Sequence, residues 1–258
     1  MGKIKECAVV ISQEKLATDI FSMWINTNIA KEAKPGQFIS VYTKNEAKLL
    51  PRPISICEID DKKTALRIVY RKAGKGTEEF SKYRSGASVN ILGPLGNGFP
   101  LCDEKAILIG GGIGIPPMLE LAKALESEKT IVVGYRNSEM FLNNDLACYG
   151  KLVVATEDGS VGTKGNVIDA IREQNVSGSV IYACGPIPML RGVKEYAKEK
   201  GIKAYISMEE KMACGVGACL GCVCKSTNVD DHSKVNNKRI CADGPVFNAE
   251  DIELCIQK

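Results

Sequence analysis

Apolar and polar positions alternate over short distances through the first hundred residues. Cys7–Ile11, Phe38–Tyr42, Ile54–Cys57 and Ala65–Tyr70 are β-prone runs separated by turn-forming residues, the pattern of half-buried strands. One helical stretch, Glu78–Tyr83, follows Gly76-Thr77. Many short strands without long helices between them predict a small antiparallel β-barrel or sandwich.

Near residue 103 the rhythm changes. Lys105–Gly110 reads as a buried strand, and Gly110-Gly111-Gly112-Ile113-Gly114 follows at once. Met118, Leu121, Ala122 and Leu125 then recur at helical spacing. Strands at Thr130–Val133, Leu152–Thr156 and Ser179–Ala183 alternate with a helix near Val167–Gln174. A last helix begins near Pro186 and is closed by Gly201. This βαβ alternation predicts a parallel sheet covered on both faces. The final fifty residues are short, cysteine-rich and glycine-rich. They are too few for a core of their own, so a metal is expected to cross-link them. The expected organisation is multi-domain α+β: residues 1–100 an antiparallel β-barrel or sandwich, 101–205 an α/β domain, and 206–258 a small metal domain.

Composition narrows the function. An apolar content of 45% with 25% charged residues excludes a disordered chain, and a net charge of +3 gives no footprint for nucleic acid. MGKIKECAVV lacks the apolar core of a signal peptide, and no apolar run approaches a membrane span, so the expected location is the cytoplasm. His232 is the single histidine, which argues against Ser-His-Asp or Cys-His catalysis and against a histidine-rich metal site.

There are eleven cysteines. Six are scattered (Cys7, Cys57, Cys102, Cys148, Cys184, Cys255), and most of these read as small buried hydrophobes. The other five fall within residues 214–241. Cys214, Cys219 and Cys222, with Cys241 beyond, have the C-x4-C-x2-C…C spacing of a plant-type [2Fe–2S] site. Gly215, Gly217 and Gly221 suit a loop that brings N–H groups to sulfur. Cys224 is a fifth thiol and an alternative ligand to Cys222. A structural zinc site using Cys219, Cys222, Cys224 and Cys241 would also fold the tail, but it leaves Cys214 unexplained.

Two upstream elements suit nucleotides. Gly111, Gly112, Gly114 and Pro117 lie where a strand opens into a helix, the place for a dinucleotide pyrophosphate. Cys184, Gly185 and Pro186 end a second strand of the same sheet, and strand carboxyl ends form the ligand crevice. Tyr135-Arg136, at a third strand end, could flank an adenosine. In the first domain, Arg52-Pro53-Ile54-Ser55 offers a cation for a pyrophosphate and a hydroxyl for a ring edge. Val69-Tyr70-Arg71 leads to a second glycine turn, Gly74-Lys75-Gly76-Thr77.

Taken in order, R-x-x-S at 52–55, G-x-G-x-x-P at 112–117 and C-G-P at 184–186 resemble the ferredoxin–NADP reductase superfamily. MACGVGACLGCVCK at 212–225 and KRICADGPVF at 238–247 are similar to the electron-transfer subunits of class 1B dihydroorotate dehydrogenases. The resemblance covers essentially the whole chain. It implies FAD held by Arg52, Pro53, Ile54, Ser55, Val69, Tyr70, Arg71, Gly76 and Thr77. Val69 to Arg71 would act mainly through backbone and charge. It implies NAD(H) as substrate at Gly111, Gly112, Gly114, Pro117, Cys184, Gly185 and Pro186. The cluster ligands become Cys214, Cys219, Cys222 and Cys241, with Cys224 a bystander. Eighteen residues separate Cys222 from Cys241, a longer path than the family pattern. The implied partner is an FMN-containing catalytic subunit that interconverts dihydroorotate and orotate in pyrimidine biosynthesis, assembled two of each.

Glu157 and Asp158 follow a sheet strand and favour NAD over NADP if they lie near a 2′-phosphate. Glu209 and Glu210 precede the cluster loop and could lie near the flavin. The rival readings are a flavin/iron–sulfur reductase subunit of another complex, such as a hydrogenase, and a nucleotide-binding regulatory protein with a zinc tail.

Overall fold

A computed structural model of the chain describes residues 2–45, 49–229 and 234–254; His232 and Cys255 lie outside these. The first unit is a closed six-stranded antiparallel barrel of order β1-β2-β5-β4-β3-β6. Its strands are β1 (Ile4–Ala17), β2 (Ile20–Asn26), β3 (Phe38–Val41), β4 (Arg52–Ile59), β5 (Ala65–Arg71) and β6 (Ser88–Leu95), with helix α1 (Lys75–Phe80) after β5. Alternate residues such as Leu66, Ile68 and Tyr70 fill the barrel interior with Met23, Ile39 and Ile91. Beyond Val9, β1 leaves β6 and pairs with β2 alone. The resulting hairpin carries Thr18-Asp19 out to the second unit.

That second unit is built from β7 (Ala106–Gly111), α2 (Pro116–Ala124), β8 (Lys129–Tyr135), α3 (Asn143–Ala147), β9 (Lys151–Thr156), β10 (Thr163–Lys164), α4 (Val167–Glu173), β11 (Val180–Cys184), α5 (Ile187–Lys200) and β12 (Lys203–Ser207). Every residue of β7 is buried, as a central parallel strand flanked by helices requires. Asn166 caps α4, accepting from Ile168 and Asp169 amides at 2.8 and 3.2 Å. Gly201 ends α5 at φ 63°, the left-handed residue that closes a helix.

The tail contributes β13 (Val223–Lys225), β14 (Asn237–Arg239) and β15 (Val246–Asn248). β13 and β14 form a small antiparallel hairpin. β15 joins the large sheet, whose order is β10-β9-β8-β7-β11-β12-β15, and runs antiparallel to β12. This departs from the expectation that metal alone holds the tail. Met212, Ile240, Phe247 and Ile252 share one buried cluster with Ile206 of β12 and with Phe38 and Leu95 of the barrel. The tail thus borrows a core from both other units.

Two local expectations also shift. The first helix starts at Lys75 rather than Glu78, because the Thr77 hydroxyl folds back to accept from the Ala73 and Gly74 amides at 3.0 and 3.2 Å. Of the scattered cysteines, Cys57 and Cys184 are buried, Cys102 is half-buried, and Cys7 and Cys148 are exposed. No helix among the described residues is long and apolar enough to cross a membrane.

Candidate functional site

Strands β4 and β5 begin to diverge at the barrel's open end. Their ladder runs from Ile56 to Ile59 against Ile68 to Leu66. Beyond that ladder Arg52–Ser55 pair with β3 and Val69–Arg71 pair with β2. Each residue there faces a different task. Val69 packs toward the second unit. Tyr70 is buried in the barrel, its ring 6.0 Å from Phe21 and its hydroxyl donating to Gln13 at 2.7 Å. Only the main chain of Tyr70 is left for a ligand. Arg71 is exposed and points into a cleft. Arg52 lies across Gly76, so close that any side chain at 76 would displace its guanidinium, and it also donates to the Leu50 carbonyl. The structure therefore brings Arg52 and the Gly76–Thr77 helix start together.

The cleft, of about 570 Å³, separates the barrel from the second unit. One wall is Gly111, Gly112 and Gly114 at the β7–α2 turn, with Gly185 and Pro186 after β11. These two turns touch: a Cβ at Gly114 would fall on the Cys184 carbonyl. Glycine is required at 114 for that approach. They meet where chain connections leave β7 and β11 in opposite directions across the sheet, the usual ligand crevice of an open α/β sheet. Pro117 and Cys184 are buried behind this wall and do not line the cleft. Burial raises the Cys184 thiol pKa, with Glu209 adding to the effect.

Tyr135, Arg136 and Glu157 line the cleft, while Asp158 turns its carboxylate back to accept from the Ser160 amide at 2.9 Å. Glu209 faces Arg71 across the cleft floor. Enclosure raises its carboxyl pKa and the Arg71 charge opposes that rise. Sequence reasoning missed the opposing wall, Ala17–Ile20, whose Thr18 hydroxyl donates to Glu139 at 2.6 Å. It also missed Asn166 at the α4 start; the Asn166…Asp169 capping pair was the legible signal.

The cysteines come as two pairs. The Cys214 and Cys219 sulfurs lie 3.3 Å apart. Cys222 precedes β13 and Cys241 follows β14, so the hairpin closes the long path between them: the Ile240 amide donates to the Cys222 carbonyl at 2.9 Å and the Cys241 amide to the Cys222 sulfur at 3.5 Å. Burial works against ionising Cys214, but the Val216 and Cys219 amides, at 3.5 and 3.4 Å from its sulfur, hold its pKa below the usual thiol value. Burial pushes Cys224 up to about 11. Among the described residues no three ligating side chains converge on one point; two thiol pairs with amides aimed at sulfur fit a binuclear centre. The cluster loop lies directly on the barrel. A Cβ at Gly215 would be 3.0 Å from Ser40 Oγ, a buried hydroxyl with no protein partner, and Ser40 stands opposite Pro53 in the β3–β4 register.

Comparison with known proteins agrees with this geometry. Residues 209–253 match the iron–sulfur cluster binding domain of dihydroorotate dehydrogenase B, and residues 108–195 match the oxidoreductase NAD-binding domain. The chain is 41% identical over 260 residues to the dihydroorotate dehydrogenase B (NAD(+)) electron transfer subunit of Geobacillus sp. strain WCH70, across 97% of this chain and 99% of that protein. Identity to the Fusobacterium nucleatum protein of the same name is 40% over 266 residues, 98% and 99% of the two chains. Among solved structures, the NADH-dependent reduced ferredoxin-NADP oxidoreductase studied for flavin-based electron bifurcation superposes with a TM-score of 0.87 at 27% identity, covering 96% of this chain and 90% of that one. The ferredoxin reductase in carbazole 1,9a-dioxygenase shares the fold at 18% identity, with a TM-score of 0.66 over 78% and 67% of the chains.

Proposed function

The chain belongs to the family of dihydroorotate dehydrogenase B electron transfer subunits, and from that premise we propose how its residues carry electrons from NADH to a separate catalytic subunit. It is an NADH-linked oxidoreductase subunit using FAD and a [2Fe–2S] cluster. When bound, FAD would supply the chemistry that accepts one hydride, two electrons at once, and releases those electrons singly.

The protein's own work is positioning. Arg52, with Gly76 and Thr77 at the α1 start, holds the FAD pyrophosphate; Pro53, Ile54 and Ser55, with the Val69 and Tyr70 main chain, hold the flavin end. Arg71 reaches from this strand into the cleft, where a Cβ at Gly112 would be 3.8 Å from its guanidinium. Gly111, Gly112, Gly114, Gly185 and Pro186 bound the space for NADH, with Pro117 and Cys184 shaping the wall from behind. Cys214, Cys219, Cys222 and Cys241 would hold the [2Fe–2S] cluster. The observation that carries the reading is contiguity: Arg71 joins the flavin strand to the nucleotide cleft, and Ser40 joins the same region of the barrel to the cluster loop.

The receiving partner is the catalytic subunit of dihydroorotate dehydrogenase; on the family resemblance it carries FMN and assembles two of each. Cysteines without a disulfide among the described residues and a nicotinamide substrate support the cytoplasm as its location. The test is NADH-dependent orotate reduction by the FMN-bearing subunit with and without this chain. Turnover should require it; equal turnover without it overturns the proposal.

A further inference from the structure

Two separate chain segments must present four sulfurs to one centre. The loop 214–222 carries three ligands, and the turn after β14 carries the fourth. Apart from the β13–β14 hairpin, the Arg239 side chain bridges them by hydrogen bonds. Arg239, the last residue of β14, donates from Nη1 to the Gly217 carbonyl at 3.0 Å. Its Nε and Nη2 both donate to Asp243, each at 3.3 Å. The Arg239 amide donates to the same carboxylate at 2.7 Å, and the Asp243 amide donates back to the Arg239 carbonyl at 2.7 Å. Asp243 therefore fixes the guanidinium plane, which aims the third nitrogen, Nη1, at the Gly217 carbonyl.

Gly217 is the centre of the first loop. Its φ is 86°, and a Cβ there would lie 2.8 Å from the Ala242 side chain. Only glycine permits this contact between the Cys214–Cys219 loop and the residue beside Cys241. The same loop aims the Val216 and Cys219 amides at the Cys214 sulfur, at 3.5 and 3.4 Å.

We infer that Arg239 is a positioning residue for the iron–sulfur centre: by gripping the Gly217 carbonyl it locks the two ligand segments together and sets the cluster's reduction potential. The inference rests on the cluster assignment proposed above. Adding an electron makes an anionic cluster more negative, so N–H groups held against its sulfurs favour the reduced form. Asp243 offsets much of the guanidinium charge, which makes the placement of Gly217 the larger effect. A lysine at 239 keeps a charge but cannot hold Asp243 and Gly217 at once.

The experiment compares the full chain with Arg239→Lys, Arg239→Gln and Asp243→Asn by EPR-monitored redox titration and by iron loss to a chelator. At the poise where half of the wild-type cluster is reduced, the reduced-to-oxidised ratio should fall by about tenfold in Arg239→Lys and Arg239→Gln, and iron loss should quicken by a similar factor. NADH reduction of FAD should be unchanged. If Arg239→Gln loads no cluster, the ratio in Arg239→Lys and Asp243→Asn decides. A loaded wild type with wild-type ratios and iron loss in the loading variants overturns this inference alone. A wild-type chain without iron or sulfide overturns the cluster assignment and this inference with it.

Discussion

Arg67 on β5 of the barrel and Asp145 on α3 of the nucleotide unit form an ion pair at 3.1 Å across the junction of the two units. The arginine side chain is 8% exposed and the aspartate 42%. Glu58 approaches the same guanidinium at 3.3 Å, and Ser22 accepts from Nε at 3.0 Å. This pair sits behind the cleft, where it fixes the barrel against the sheet that holds the second nucleotide. Removing the buried arginine leaves the half-buried Glu58 and the exposed Asp145 without their shared cation; removing the aspartate leaves a guanidinium that Glu58 still serves. Arg67→Ala is expected to lower stability by about 2 kcal/mol through lost charged hydrogen bonds and Asp145→Ala by about 1 kcal/mol or less, measured by urea unfolding. NADH reduction of FAD should slow in Arg67→Ala even where the variant remains folded.

Glu120 of α2 makes a second bridge, with a pH dependence. Its carboxylate accepts from the Ile59 amide at 2.7 Å, and Lys123 donates to the Ile59 carbonyl at 3.0 Å while pairing with Asp61 at 2.6 Å. Burial raises the Glu120 pKa to about 7, the Ile59 amide and Lys123 oppose that rise, and Glu58 and Asp61 add to it. A raised carboxyl pKa means that the folded chain binds the proton more tightly than the unfolded one. The stability this contributes is complete below the ordinary carboxyl pKa and is lost as pH rises through about 7. The loss should be of order 1–3 kcal/mol, since each pKa unit is worth about 1.4 kcal/mol. Glu120→Gln should flatten the fall in melting temperature between about pH 5 and about pH 8; an unchanged slope would place the titration elsewhere.

Much of the site was legible because its determinants are local. The glycine turn after β7 needs only Gly112 and Gly114 in sequence, and the cysteine spacing suggests a [2Fe–2S] site with zinc as the alternative that the upstream motifs weigh against. What stayed hidden depends on closure between distant segments. Val246–Asn248 is three residues long and shows no periodicity, yet it completes the large sheet because β12 leaves an edge for it. Arg67 lies on a strand where charge ordinarily marks a solvent face, and only the docking of α3 buries it. The Ala17–Ile20 hairpin tip became a cleft wall because β1 outruns β6, a length that a turn signal at Thr18-Asp19 does not reveal.

Arg52 should be the side chain whose loss most weakens FAD binding, since it is the cation beside the Gly76–Thr77 helix start. Arg52→Ala should raise the FAD dissociation constant by about 10–100-fold, the worth of a charge-assisted phosphate contact. Arg52→Lys should restore only part of this, because a lysine is a point charge without the fork. Fluorescence of FAD released on dilution measures both.

The two neighbouring thiols should separate cleanly. Cys222 is buried with its sulfur accepting from the Cys241 amide, whereas Cys224 is paired in register with Lys238 on the hairpin. Cys222→Ser should cut bound iron and sulfide by about tenfold or more, and Cys224→Ser should leave both near wild type. Iron analysis and the visible absorption of the purified chain give the answer. Retention in Cys222→Ser with loss in Cys224→Ser would exchange the two assignments.

Glu157 sets the expected choice between nicotinamide dinucleotides. Its amide donates to the Tyr135 carbonyl at 3.1 Å, pinning the end of β9 to the end of β8, and its carboxylate lines the cleft alongside Arg136. A carboxylate there repels the 2′-phosphate of NADPH, and Arg136 would attract it once that repulsion is gone. At a few ångströms near a protein surface the repulsion is worth about 1–2 kcal/mol, which corresponds to about tenfold in kcat/KM. Glu157→Gln should therefore raise kcat/KM for NADPH by about tenfold, while the value for NADH changes by less than about threefold because NADH carries no charge at that position. Steady-state reduction of an artificial acceptor with each dinucleotide measures the ratio. An unchanged NADPH value would show that the 2′-phosphate does not approach Glu157.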